Sequence, residues 1–183
     1  MNCYIDIKLK PDVEMKENLL LNRVFTKYHN ALVALASNTI GVSFPEYRLK
    51  LGLVLRIHGS RVDLQELQTL DWLGSLKRYC VVCELLEIPE TTGFRVISRI
   101  QSNMTNSKLR RLIRRNSIPG NQVRQYKAKM YSQGLDQPYL ELESASSGHK
   151  HRRYIHFGQI VEKPVVGTFD SFGLSKTATV PWF

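Results

Sequence analysis

Hydrophobic and polar residues follow two different periods in the first half of the chain. Residues 3–9 and 51–58 alternate strictly between apolar and polar, which predicts two half-buried strands. Residues 14–36 repeat their apolar side chains at every third or fourth position, which predicts an amphipathic helix. A short apolar run at residues 40–44 is typical of a further strand, stopped by Pro45.

The pattern continues with a second helix and a fourth strand. Ser60 followed by Asp63 resembles a capping pair and predicts a helix over residues 62–73. Residues 81–88 then predict a strand. The resulting order, β-α-β-β-α-β, is the ferredoxin-like arrangement, so we expect an α+β fold. Many RNA-binding modules share this order, but these strands lack the aromatic residues that an RNA recognition motif uses to stack bases.

A linker is predicted at residues 89–93, which read PETTG. We therefore expect a ferredoxin-like domain over residues 1–91 and a C-terminal α/β part over residues 92–183. The elements expected in the second part are strands at residues 94–101, 139–144 and 152–160 and helices at about residues 105–116 and 121–132. A serine-rich loop lies between the last two of these strands.

The helix at about residues 105–116 carries a concentrated positive charge. At about 100° per residue, Leu109, Leu112 and Ile113 share one narrow face, which gives the helix an apolar docking surface. Five cations fan across the opposite side: Lys108, Arg110, Arg111, Arg114 and Arg115. A solvated charged face is the ordinary explanation of such a run. Here no acid lies four residues away to neutralise the arginines, which favours a face that binds a polyanion.

The excess positive charge of the chain is confined to the segment that contains this helix. The chain has 26 Lys or Arg and 16 Asp or Glu, and residues 94–156 hold thirteen of the former and three of the latter. The whole excess of ten therefore lies there, which predicts a nucleic-acid-binding face. A membrane surface attracts the same charge. However, the sequence shows neither an apolar run near the ~20 residues of a spanning helix nor a signal-peptide pattern.

The three cysteines, Cys3, Cys80 and Cys83, are typical of a protein of the reducing cytoplasm. Cys80 and Cys83 are three positions apart in a strand-like run, so we expect their thiols on opposite faces, as buried structural residues. A zinc site needs four ligands, and this pair supplies two. We therefore expect a cytoplasmic protein without a metal site.

Several short strings occur in a fixed order along nearly the whole chain. The first part contains YIDIKLKPD, then KYHNALVA around His29, then NTIGVSFPEY. The second part contains SRIQ, LRRLIRR, SASSGHK, GLSK and PWF. Each string is weak alone. In this order, and in a chain of this length, they make the sequence resemble the CRISPR precursor-RNA processing endoribonuclease of subtype I-F.

The resemblance implies a ferredoxin-like domain joined to a part whose arginine-rich helix lies in the major groove of a repeat-RNA hairpin. It implies a cut at the 3′ base of that hairpin by the RNA's own 2′-hydroxyl, with neither metal nor cofactor. It also implies that the protein keeps its product, the CRISPR RNA stem-loop, and joins the other subunits of the type I-F RNA-guided complex.

His29 lies about 80–100° around its helix from the centre of the apolar stripe. From that position alone, a histidine satisfied at the edge of the core is the simpler interpretation. The resemblance places His29 on the family's catalytic histidine, which suits a reaction that needs a base or acid titrating near neutrality. It also aligns Ser144 with the serine that holds the 2′-hydroxyl, and Ser146 and Ser147 with supporting hydroxyl residues.

The same alignment matches Arg99 and Gln101 with the pair that reads base edges low in the RNA stem. Residues two apart on a strand project to the same side, about 6–7 Å from each other. Arginine suits the O6 and N7 edge of guanine, and glutamine suits the N6 and N7 edge of adenine. Exposure on a strand without a binding role remains the alternative for Gln101.

Two positions depart from the family pattern. Phe172 stands where the family often has a tyrosine with its hydroxyl near the catalytic histidine, so another group must orient His29 or the cut is slower. His151 stands near the position of an aromatic residue that stacks on the end of the stem. The missing hydroxyl leaves open a hairpin-binding subunit that has lost cleavage. The basic helix alone leaves open a small DNA-binding or ribosome-associated protein.

Overall fold

A computed structural model describes residues 1–90, 92–100, 106–132, 137–143, 148 and 150–183. These residues form two antiparallel sheets, one of five strands and one of four, together with several helices. The predicted α+β fold is confirmed. The division into two domains at residue 91 stays a prediction.

The first sheet is formed by the N-terminal half, with strand order β2-β3-β1-β4, and β5 also pairs with β1. Its elements are β1 (Cys3–Leu9), α1 (Glu17–Ala34), β2 (Gly41–Ser43), β3 (Val54–Gly59), α2 (Arg61–Thr69), β4 (Cys80–Val82) and β5 (Leu86–Glu87). The predicted capping pair is present, because the Ser60 hydroxyl accepts the Asp63 amide at 3.1 Å and the Asp63 carboxylate accepts the Ser60 amide at 3.3 Å.

Several element boundaries in this half differ from the prediction, including the start of β3, which is Val54 and not residue 51. Helix α1 begins at Glu17 and not at residue 14, because the Asp12 carboxylate accepts the amides of Glu14 and Met15 and holds them in a turn. Helix α2 ends at Thr69, since Asp71 takes a positive φ of 44° and a 3₁₀ helix over Gly74–Tyr79 follows. The single strand expected over residues 81–88 is two short strands, β4 and β5.

The second sheet has the strand order β7-β8-β6-β9. The C-terminal half contains β6 (Gly93–Ile100), α3 (Asn106–Arg114), α4 (Gly120–Ser132), β7 (Tyr139–Glu143), β8 (Lys150–Val161) and β9 (Val180–Trp182). The sequence did not predict β9. This strand contains Pro181 and pairs with β6 at the edge of the sheet, where a missing amide proton is tolerated.

Both sheets contribute to one hydrophobic core. Tyr47 of the N-terminal half stacks on Phe157 of β8, with ring centroids 3.7 Å apart and planes within 5°. The side-chain oxygen of Asn22, on α1, accepts the amide of Glu141, on β7, at 3.0 Å. Helix α1 is therefore fixed against the second sheet as well as the first, and this position carries His29 to the boundary between them.

The apolar face of α3 is narrower than predicted. Leu109 is buried and Leu112 is half-buried, but Ile113 is 46% exposed, so it does not belong to the docking surface. Of the cysteines, Cys3 is buried, whereas Cys80 and Cys83 are only half-buried, in contrast to the prediction. None of the helices that the structure describes is both long and apolar enough to span a membrane.

Candidate functional site

His29 lies at the margin of the buried face of α1, as its position in the helical pattern predicted. Its ring nitrogen Nδ1 is 2.7 Å from the backbone carbonyl oxygen of Ser171. A carbonyl oxygen only accepts, so Nδ1 carries the proton of this hydrogen bond. In the neutral ring, Nε2 is then the nitrogen with a free lone pair, and it is the atom able to take a proton from a bound molecule.

The ring of His29 is also fixed by stacking. Phe172 lies parallel to it, with centroids 3.7 Å apart and planes within 4°. The guanidinium carbon of Arg153 lies 3.5 Å from the centroid of the same phenyl ring, and the imidazole already covers one of that ring's faces. The three groups therefore form a layered stack of imidazole, phenyl and guanidinium. Contacts with the phenyl ring and with Ser171 orient His29 without a hydroxyl at position 172.

A tight loop holds Phe172 in this position. One carboxylate oxygen of Asp170 accepts the amides of Phe172 at 2.9 Å and Leu174 at 3.0 Å. Gly173 has φ +70°, and a Cβ there would lie 2.3 Å from the hydroxyl of Tyr28, so a larger residue does not fit. The carbonyl of Gly173 accepts the amide of Val42 at 3.0 Å, which anchors the loop to the first sheet.

His29 lines a cavity of about 290 Å³ between α1, the end of β7 and β8. His151 and Phe172 line the same cavity, so the structure brings together three residues that the sequence singled out. Glu143, the residue before Ser144, is also in its wall. The other predicted residues of this region, Ser144, Ser146 and Ser147, lie outside the described residues.

Arg99 is an exposed residue of β6 that lines a second, larger cavity of about 590 Å³. Arg153 lines both cavities and so lies between Arg99 and His29. The pKa of Arg153 is lowered to about 10, mainly by burial and also by the charge of Arg99, while Asp170 acts in the opposite direction. Gln101, the expected partner of Arg99, lies outside the described residues.

Sequence reasoning missed Arg153 and Ser171. The signal for Arg153 was available, because it stands in phase with Ile155 and Phe157, which are buried on the same face of β8. A cation on the apolar side of an alternating strand is unusual and marks a position with a special environment. Ser171 contributes a backbone carbonyl, for which a sequence carries no signal.

The basic side of α3 is open to solvent. All five predicted cations are exposed, four on α3 and one directly after its last residue: Lys108, Arg110, Arg111, Arg114 and Arg115. Among the described residues, no carboxylate lies within 4 Å of the four arginines. Helix α4 adds three more exposed cations, Arg124, Lys127 and Lys129. The two helices together present a surface suited to a polyanion.

Comparison with known proteins adds a second line of observation. The family model described as CRISPR-associated protein (Cas_Csy4) matches residues 4–183. A protein of Escherichia coli (strain UTI89 / UPEC), named CRISPR-associated endonuclease Cas6/Csy4, is 36% identical over 184 residues, covering 100% of both chains. A protein of the same name from Pseudomonas aeruginosa (strain UCBPP-PA14) is 38% identical over 187 residues, again covering 100% of both.

Proposed function

Because this chain belongs to the Cas_Csy4 family of CRISPR-associated proteins, we propose that it cuts CRISPR precursor RNA, as a metal-independent endoribonuclease, at the 3′ base of the repeat hairpin. The names of the two relatives agree with the endonuclease predicted from the sequence. The observation that best supports the proposal is the position of His29, which is held by Ser171 at a cavity whose wall includes the residue before Ser144.

The proposed reaction is an attack by the RNA's own 2′-oxygen. This oxygen forms a bond to the scissile phosphorus while the bond from phosphorus to the 5′-oxygen breaks. Nε2 of neutral His29 takes the proton of the attacking hydroxyl, and Ser144 holds that hydroxyl by donating and accepting hydrogen bonds. The leaving 5′-oxygen takes a proton from water and becomes a 5′-hydroxyl, and His29 returns its proton to water. The upstream product ends in a 2′,3′-cyclic phosphate, or in a 3′-phosphate after hydrolysis.

Recognition of the hairpin is assigned to three sets of residues. Arg99 and Gln101 read base edges low in the stem, next to the cut. His151, which shares the cavity of His29, contacts the end of the stem. The exposed cations of α3 bind the phosphates of the stem, which accounts for tight retention of the product. The protein then stays with the processed RNA in the cytoplasm as one subunit of the type I-F RNA-guided complex.

The decisive experiment is incubation of the purified protein with the repeat RNA adjacent to its own gene, in EDTA. We expect a single cut with a 5′-hydroxyl on the downstream fragment. A hairpin with one 2′-deoxynucleotide at the cut should bind within a few-fold of the ribo-hairpin and stay intact, because it lacks the attacking oxygen. A strict requirement for magnesium, or cleavage of the deoxy hairpin, would contradict the proposed reaction.

Phe172 supports a second candidate function, a hairpin-binding subunit without turnover. Its phenyl ring supplies no hydroxyl beside His29, although the stack and the Ser171 carbonyl still orient the imidazole. Tight binding of the ribo-hairpin without any cut would favour this candidate. Equal binding of duplex DNA in competition would instead favour a DNA-binding or ribosome-associated role, since DNA offers no 2′-hydroxyl to hold.

A further inference from the structure

Arg153 is a cation in an environment where cations are seldom found. It is 6% exposed and lies on the buried face of β8. Its guanidinium covers Phe172, and burial lowers its pKa to about 10, so the group remains charged at neutral pH. A buried charge is costly unless it is paired and hydrogen-bonded. The donors of Arg153 should therefore have partners within the fold or in a ligand.

The described residues supply only some of the hydrogen-bond partners that the Arg153 guanidinium needs. The Nε atom of Arg153 is buried and has no hydrogen-bond partner among the described residues. Its Nη1 atom is 4.0 Å from the Asp170 carboxylate, which is too long for a hydrogen bond. The other oxygen of that carboxylate already accepts the amides of Phe172 and Leu174. Asp170 thus shapes the loop and leaves the Nε donor of Arg153 without a partner among the described residues.

Two further cations line the same cavity of about 590 Å³. They are Arg99 on β6 and Lys176 after the loop, and both are exposed. The charge of Arg99 is close enough to lower the pKa of Arg153. Among the described residues, the cavity wall therefore carries three cations and one acid, Asp170, and the most buried of the three cations has a guanidinium nitrogen with no hydrogen-bond partner there. An anion in this cavity would relieve the repulsion and give the guanidinium of Arg153 a charged partner.

We propose that Arg153, with Lys176 at the rim, binds an RNA backbone phosphate, namely the one on the 5′ side of the nucleotide whose 2′-hydroxyl attacks. That the anion belongs to RNA rests on the proposed function. An RNA strand that runs from a base read by Arg99 to the bond at His29 passes Arg153, because Arg153 lines both cavities. The phosphate on the stem side of the cut is the anion that this path presents to it.

A first experiment tests the site on the free protein with inorganic phosphate as the probe. Thermal unfolding midpoints are measured in rising phosphate, at constant ionic strength set with sodium chloride. We expect phosphate to raise the midpoint of the parent and to have no such effect on Arg153→Met. The substitution removes a buried, incompletely paired charge at similar volume, so the variant should fold with a midpoint equal to or above that of the parent.

The matched control is Arg152→Met, which removes the same charge from the neighbouring, exposed position of β8. It should keep the full response to phosphate, and the surface variant Lys176→Met should lose part of it. Phosphate stabilisation that persists in Arg153→Met would overturn the proposal. So would an equal loss in Arg152→Met, because the effect would then be general screening of positive charge.

A second experiment uses the cleaved hairpin, which retains the proposed phosphate. Hydrogen bonds to charged groups justify an expected loss of about tenfold to a hundredfold in the affinity of Arg153→Met for this product. A neutral methylphosphonate at that one phosphate should weaken the parent similarly and weaken the variant no further. If the methylphosphonate weakens binding by Arg153→Met as much as it weakens binding by the parent, Arg153 does not bind this phosphate and the assignment is wrong.

The two experiments separate this inference from the proposed function. A parent protein that neither binds nor cuts the repeat hairpin would end the proposed function and the assignment of the anion to RNA. The phosphate titration of the free protein would still decide whether Arg153 and Lys176 form an anion site.

Discussion

The pocket of His29 and the basic side of α3 serve one proposed task by opposite means. In the pocket, imidazole, phenyl and guanidinium are stacked at 3.5–3.7 Å and held by a hydrogen-bonded loop. On α3, the cations are exposed side chains on a single short helix. Chemistry depends on fixed distances, so it needs the packed site. Phosphate binding depends on charge density, so an exposed basic surface serves it well.

The comparison predicts different sensitivities for the two regions. The cleavage rate, which depends on the pocket, should change when a single side chain of the pocket or the stability of the fold is altered. It should depend little on salt. The hairpin affinity that the α3 surface contributes should depend on salt and on the number of cations. It should change little when any one cation is lost. The following variants test this contrast.

The largest expected effect is on the cleavage rate of His29→Ala. Loss of a general base lowers a rate by roughly 10²–10⁴, and the alanine leaves the cations of α3 in place. Single-turnover cleavage should fall by that factor while hairpin affinity stays within a few-fold of the parent. His156→Ala, at an exposed position of β8, is the control and should cut normally. Unchanged cleavage by His29→Ala would remove it from the reaction.

We expect the first sheet, which helps to carry the pocket, to lose stability in acid because of His58. This residue is fully buried on β3, its Nε2 is 2.7 Å from the Ser43 hydroxyl, and burial lowers its pKa to about 3. The unfolded chain binds the proton near pH 6.5, so the stability from neutral His58 is complete above that pH and is lost as the pH falls toward 3. The expected slope from this group is up to about 1.4 kcal/mol per pH unit.

Urea unfolding at several pH values checks this slope. His58→Gln should flatten the pH dependence below pH 6.5 even if it lowers the overall stability. His156→Gln, which changes an exposed histidine, should leave the dependence as it is in the parent. An unchanged slope in His58→Gln would mean that other groups cause the acid sensitivity.

A smaller effect is expected for the double variant Arg111→Ala with Arg115→Ala on the basic helix. Each phosphate contact contributes about 0.7–0.9 to the slope of log affinity against log salt, so the slope should fall by about 1.5. Binding to unrelated hairpins should weaken as well, and the position of the cut should stay the same. Filter binding across a range of salt gives the slope. A slope equal to that of the parent would make this side of α3 an ordinary solvated face.

The smallest change is expected for Phe172→Tyr. The ring can keep its stack on His29 and under Arg153, so hairpin affinity should be unaltered and the cleavage rate preserved or moderately raised. Phe172→Leu provides the contrast, because it removes both stacked faces and should slow cleavage more than it weakens hairpin binding. A large fall in rate for Phe172→Tyr would show that the pocket has no room for a hydroxyl at that position.

The sequence was informative where a feature depends on neighbours in the chain. Strand β1 begins and ends at the predicted residues, the capping pair at Ser60 and Asp63 is present, and His29 occupies the margin of α1. Each of these is decided by side chains within a turn or a strand.

Features that depend on distant contacts were missed or only partly seen. The hydrogen bond from His29 to Ser171 joins residues 142 positions apart, and the Arg153 guanidinium stacks on a ring from another element. The exposure of Ile113 reflects how α3 meets its surroundings, which its helical period does not determine. The family resemblance supplied the role of His29, but it supplied neither Ser171 nor Arg153.

Because His29 and Ser171 are far apart in the sequence, they are also synthesised at different times. A ribosome adds about 5–20 residues per second, so the 142 positions between His29 and Ser171 represent roughly 7–28 seconds of synthesis. The loop that completes the pocket also hydrogen-bonds to Asn38, Val42 and Ile97, all made earlier. A nascent chain therefore displays its basic helix to RNA before it has an oriented histidine. Newly made protein should capture hairpins before it is competent to cut them.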